Sequence, residues 1–150
     1  MSKLDLLEEY AYDKDIDVLE RPSRSKRKGG SMSIEGRSAV FLNKSRIEST
    51  GEKTCVLAEE IGHIETGTLL PCEVYQNPEY LRWLKEKNKR RAKKWAIEKI
   101  LPYEDIQRAL YTQHTEVCDL AEELGVPAEY LQAAIEYYAG KGIIFIWGKR

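Results

Sequence analysis

A chain of 150 residues with 24 Lys and Arg against 25 Asp and Glu has a net charge of -1. It is not basic all over, which excludes a bulk nucleic-acid coat. Its 42% hydrophobic content, with nine Tyr, three Trp and two Phe, excludes wholesale disorder, and the length suits one domain able to bury roughly 70% of its unfolded surface.

The first element is a short helix over residues 3 to 14, with Leu4, Leu7, Tyr10 and Ala11 on one side. Asp15 to Pro22 reads as extended or loop, stopped by Pro22. Ser23 to Ser31 (SRSKRKGGS) is polar, basic and Gly-rich, the composition of a surface loop. Two strands, Ser31 to Ile34 and Ser38 to Asn43, flank a turn at Glu35-Gly36-Arg37, so a small antiparallel sheet is expected. A helix over Glu52 to Thr66 ends near Gly67, and a loop with Pro71 and Cys72 follows.

Asn77-Pro78-Glu79 is a helix start, with Asn as cap and Pro at the first helical position. That helix runs to about Leu101 and stops at Pro102. Leu81, Leu84, Ala92, Trp95 and Ala96 form its apolar stripe, which also passes through Asn88 and Arg91. Polar groups on an inward stripe must be satisfied or used. Three helical pieces follow, at Tyr103 to Leu110, Thr115 to Leu124 and Pro127 to Ala139. Ile143 to Trp147 (IIFIW) reads as a terminal strand. The pattern is α+β and mostly helical. Residues 1–102 form a core unit, and 103–150 form a helical extension packed on it as part of one domain.

The chemistry concentrates in Leu57-Ala-Glu59-Glu60-Ile-Gly-His63. At about 100° per residue, Val56, Glu59, Glu60 and His63 share one arc of the helix, bordering the apolar Leu57, Ile61 and Ile64. The spacing differs at one position from H-E-x-x-H, in which two His hold zinc and the Glu activates bound water. Glu59 stands where the first His would be. Carboxylate oxygen is a legitimate zinc ligand one helical turn before His63, and Glu60 would be the general base. An anion in place of imidazole lowers the metal's effective charge, so the site would be slower, hold another metal, or hold none. The ordinary alternative is a pair of solvated acids with a His suited to the helix C-terminus.

The segment LAEEIGHIETG, preceded by SAVFLN and followed by a helix ending RRAKKWAIEKILP, resembles the ImmA/IrrE family of metallopeptidases. The later LAEELGVPAEY resembles the family's helical end. The resemblance spans about residues 5 to 140. It implies a zincin-like α+β fold, a zinc cofactor and cytoplasmic action on a phage or mobile-element repressor of the helix-turn-helix kind. It assigns the base to Glu60 and a zinc ligand to His63, with Glu59 in place of the first His. The family's third ligand is a Glu on the second helix, a few residues before the aromatic-Ala pair. Here that stretch, Lys87-Asn88-Lys89-Arg90-Arg91-Ala92, holds no acid. Arg91 could instead pair with Glu59 or Glu60 and replace the cation, leaving a pseudo-enzyme.

Other candidates are weaker. His114 and Cys118 are spaced i, i+4 but have no third ligand; Cys72 is a loop cysteine, and Cys55 points away from the His63 arc. The basic run Lys85 to Lys94, with Arg21, Arg24, Lys26, Arg27 and Lys28, reads first as a solvated face. Residues 116 to 138 mimic a helix-turn-helix, but the would-be recognition helix carries Glu129 and Glu136 and no Lys or Arg, so direct base reading is not expected. No stretch approaches about 18 apolar residues, so no membrane span is expected. The acidic N-terminus does not read as a secretory signal, and three dispersed cysteines suit a reducing compartment. Two functions remain: a zinc-dependent endopeptidase cleaving a repressor, or a non-catalytic module of the same fold that binds one.

Overall fold

The structure, a computed structural model, describes residues 1–67, 77–112 and 116–146. In chain order these form α1 (Lys3–Asp13), β1 (Ile16–Arg21), β2 (Gly29–Ile34), β3 (Arg37–Asn43), α2 (Thr50–Glu65), α3 (Pro78–Ile100), α4 (Tyr103–Tyr111), α5 (Val117–Leu124) and α6 (Ala128–Gly140). The class is α+β, as the pattern of elements predicts.

Local chemistry sets the element ends. Ser2 caps α1 in a reciprocal capping box with Asp5, and the Ser49 hydroxyl accepts from the Glu52 amide at the start of α2. Asn77 accepts from the amides of Glu79 and Tyr80, with Pro78 at the first helical position, so the predicted start of α3 is the observed one. The β2–β3 hairpin turns on Glu35 (φ 51°) and Gly36 (φ 79°). Two consecutive positive φ values make the tight turn whose twist matches its strands.

The sheet order is β1-β3-β2. β2 and β3 are antiparallel, as expected, but β1 runs parallel to β3 with Val18 opposite Val40, so the sheet is mixed. The segment read as extended or loop is thus a full strand. Its inward positions are Ile16, Val18 and Glu20, and Glu20 takes an ion pair from Lys53 at 2.8 Å. One charged inward position hides the alternation. β2 also starts two residues earlier than predicted, at Gly29, because both glycines pair with β3. A Cβ at Gly29 would lie 2.8 Å from Val56 Cγ1 and 3.0 Å from the Phe41 carbonyl oxygen. The bare glycine lets this strand rest directly on α2.

The expected terminal strand is not formed by Ile143–Ile146, and Trp147 lies outside the described residues. The segment alternates as a strand would, with Ile143 and Phe145 packed on the core and Ile144 and Ile146 outward. Among the described residues no strand pairs with it. Its Ile146 amide donates instead to the Gln107 side chain at 2.8 Å, and Phe145 packs on Tyr103 and Tyr138.

One cluster of buried side chains runs from Leu7 and Val40 through Leu57 and Ile61 to Ile106, Leu120 and Leu131. It spans both sides of Pro102. Tyr130, Leu131 and Ala134 of α6 are buried as packing residues. Among the described residues, no helix is long and apolar enough to cross a membrane.

Candidate active site

α2 is the helix through the middle of the site, packed on β2 and β3 on one side and α3 on the other. Gly62 sets the closest approach to α3. A Cβ there would sit 2.6 Å from the Ala92 carbonyl oxygen. With Gly62 against α3, the helical repeat places Glu59 nearest α3, then His63, then Val56, and Glu60 farthest round, toward β2. Both ends of that arc are marked by contacts. The Ser31 hydroxyl of β2 donates to Glu60 Oε2 at 2.8 Å, and Glu59 feels the charges of Lys93 and Lys89 on α3.

The electrostatics follow from position. Burial pushes the Glu59 carboxyl above the usual carboxylate range; Lys93 and Lys89 pull it back, and Glu60 adds to the rise. Burial also holds the His63 imidazole below its ordinary range. Glu60 opposes that shift, while Arg27 and Lys89 reinforce it. The charge of Glu60 therefore acts on both Glu59 and His63. The cations around them are Arg27 from the segment before β2, and Lys89 and Lys93 from α3.

The inward stripe of α3 is Asn88, Ala92, Ala96 and Ile100, all buried. Asn88 is inside, as expected. Arg91 is not: it is exposed and makes no ion pair with Glu59 or Glu60. The reason is angular. Arg91 lies on the Trp95 flank of the stripe, where Trp95 turns toward Tyr10 at a ring separation of 5.6 Å. Lys89, Lys93 and buried Ile97 lie on the opposite flank, at i, i+4, i+8. That flank is the one facing Glu59. From that flank Lys89 and Lys93, spaced i, i+4, act on Glu59 by charge, with no ion pair to it among the described residues.

Lys93 also sits 5.7 Å from the Tyr130 ring centroid, and the buried Tyr130 hydroxyl has no hydrogen-bond partner among the described residues. Burial first, and then the charge of Glu59, pushes the Tyr130 phenol upward. Buried Cys55 is held a protonated thiol by the same environment, chiefly by burial. Cys118 is exposed; its proposed partner His114, and Cys72, lie outside the described residues.

These donors do not fit a zinc ion. Among the described residues no three His, Cys, Asp or Glu side chains group to hold a metal. α2 offers two carboxylates and an imidazole, while the facing stretch of α3 offers an amide and ammonium groups. An ammonium is no ligand, and its charge repels a divalent cation.

A family model, described as peptidase M78, IrrE N-terminal-like domain, matches residues 11–136. No curated protein and no solved structure matches. The match covers most of the chain, including β1–β3, α2, α3 and the helices to α6, so the chain belongs to this family and is a metallopeptidase-like domain. The ImmA/IrrE resemblance drawn from LAEEIGHIETG and its neighbours is thereby borne out.

Proposed function

We propose that this member of the IrrE N-terminal-like peptidases works by binding a partner protein, not by zinc-dependent hydrolysis. The supporting observation is the position of Lys89 and Lys93, which present positive charge to Glu59 on the face where a carboxylate ligand is needed. With that face cationic, Glu59 and His63 are, among the described residues, two zinc ligands without a third. Glu60, bonded to Ser31, is then an anchored acceptor and not a base. The zincin-like layout is retained as a scaffold whose site has become a recognition surface.

The partner is a helix-turn-helix repressor, presented through an acidic segment. Basic groups border the arc on both sides: Arg27 beside β2, and Lys89 and Lys93 on α3. Opposite charge at both rims favours orientation and fast encounter. The site acts in the cytoplasm, where such a repressor is found.

Metal analysis of protein purified without chelator, together with a Glu60→Gln variant, tests this reading. Less than stoichiometric zinc, and partner regulation unchanged in Glu60→Gln, are expected. One zinc per chain, with partner cleavage abolished by Glu60→Gln, would restore the endopeptidase.

A further inference from the structure

We infer that the outward face of α3 binds a single-stranded nucleic acid, with the Tyr80 and Trp83 rings as a platform for bases and Lys87, Arg90, Arg91 and Lys94 as contacts to phosphates. Placement carries the inference. By the helical repeat, these side chains fall within an arc of about 100°. That arc lies opposite the buried stripe of Asn88, Ala92, Ala96 and Ile100, and every member of it is exposed. Tyr80 is 47% and Trp83 51% exposed, with ring centroids 5.8 Å apart and planes tilted by 34°. Lys87 Nζ sits 5.1 Å from the Trp83 ring centroid, so a stacking surface and a cation form one unit.

Charge points the same way. Residues 78–100 hold nine Lys and Arg against three Glu, in a chain whose net charge is -1. The rest of the molecule is therefore acidic, and the positive charge is gathered on this helix. Among the described residues, Lys87, Arg90, Arg91 and Lys94 form no ion pair. Glu98, the acid that falls within the arc, is already held by Lys141 and Tyr137. A face kept only for solubility intersperses both signs.

The chemistry selects the occupant. Phosphates take the cations and release counterions, while unstacked bases lie on the rings. A duplex keeps its bases in its own stack, and an acidic peptide would use the cations but leave the rings exposed. A bilayer surface calls for aliphatic anchors, which this arc lacks. The face is turned away from α2, so its test is independent of what the Glu59–His63 site does.

The full chain is titrated by fluorescence anisotropy with labelled oligothymidylate and oligouridylate of about 12 nucleotides, a duplex of equal length and polyglutamate. Both single strands are expected to bind more tightly than the duplex, and polyglutamate more weakly still. The tighter of the two strands identifies DNA or RNA as the source. Four phosphate contacts predict a loss of about fifty-fold between 50 and 200 mM salt. Trp83→Ala should weaken binding at least about five-fold while leaving that salt dependence intact, and Lys87→Gln with Lys94→Gln should flatten it. These side chains are exposed, and circular dichroism checks that each variant is folded. No single-strand binding at 50 mM salt, duplex or polyglutamate bound as tightly, or affinity indifferent to Trp83→Ala would overturn the inference.

Discussion

Two adjacent glutamates on α2 face different worlds. Glu60 turns to the sheet, where a small hydroxyl on β2 satisfies it. Glu59 turns to α3 and α6, where burial outweighs two lysines and a tyrosine hydroxyl has no partner among the described residues. One residue of helix, about 100°, separates a satisfied carboxylate from a strained one. The difference shows that the motif's spacing fixes only which side chains share an arc. What the arc can do is decided by the element packed against each end of it.

The largest test removes the setting of the α3 flank. Gly62→Ala places a methyl group 2.6 Å from a backbone oxygen, and backbone cannot rotate away as a side chain tip can. We expect a loss of about 3 kcal/mol in denaturant unfolding, the upper range for overpacking. A loss under about 1 kcal/mol would mean that the two helices separate easily, and the contrast between the flanks would soften.

On the sheet flank, Ser31→Ala removes the hydrogen bond to Glu60. A bond to a charged, partly buried acceptor contributes about 1.5 kcal/mol. Equal stability of variant and native protein would show that water replaces the hydroxyl, and that Glu60 is no better satisfied than Glu59.

Much of this geometry was legible before the fold. The arc of Glu59, Glu60 and His63, the cap at Asn77, the hairpin at Glu35-Gly36 and the burial of Asn88 all follow from short-range periodicity. What was not legible depends on distant pairing. The parallel register of β1 on β3 brings together segments more than twenty residues apart, and nothing local in IDVLER announces it. The role of Arg91 was misread because a stripe has two flanks. Which flank faces α2 is set by the Gly62–Ala92 contact, a tertiary fact. Ser31 and Tyr130 went unnoticed as site residues for the same reason. A serine on a strand or a tyrosine on a packing helix gains meaning only from what lies across from it.

On the α3 flank, Tyr130→Phe deletes a buried hydroxyl that has no hydrogen-bond partner among the described residues. Native burial of such a group is unfavourable, so the variant should be more stable by about 1 kcal/mol. Chemical denaturation measures it. A loss of stability of that size would show that the hydroxyl is bonded, and would erase the asymmetry between the two glutamates.

The smallest effect concerns Glu59 itself, and its sign depends on pH. Burial raises the folded carboxyl above its ordinary value of 4.5, so the folded chain binds this proton more tightly than the unfolded chain. The associated stability is present below about pH 4.5 and is lost as pH rises through the folded value. At neutral pH the ionised Glu59 is therefore a net cost that Lys89 and Lys93 only partly offset. Glu59→Gln should raise the melting temperature by about 2 °C at pH 7.5, with the gain shrinking toward zero at pH 4. A variant less stable than native at pH 7.5 would mean that the lysines win over burial. The α3 flank would then be a true ion-pair lock, as firmly satisfied as the Ser31–Glu60 side.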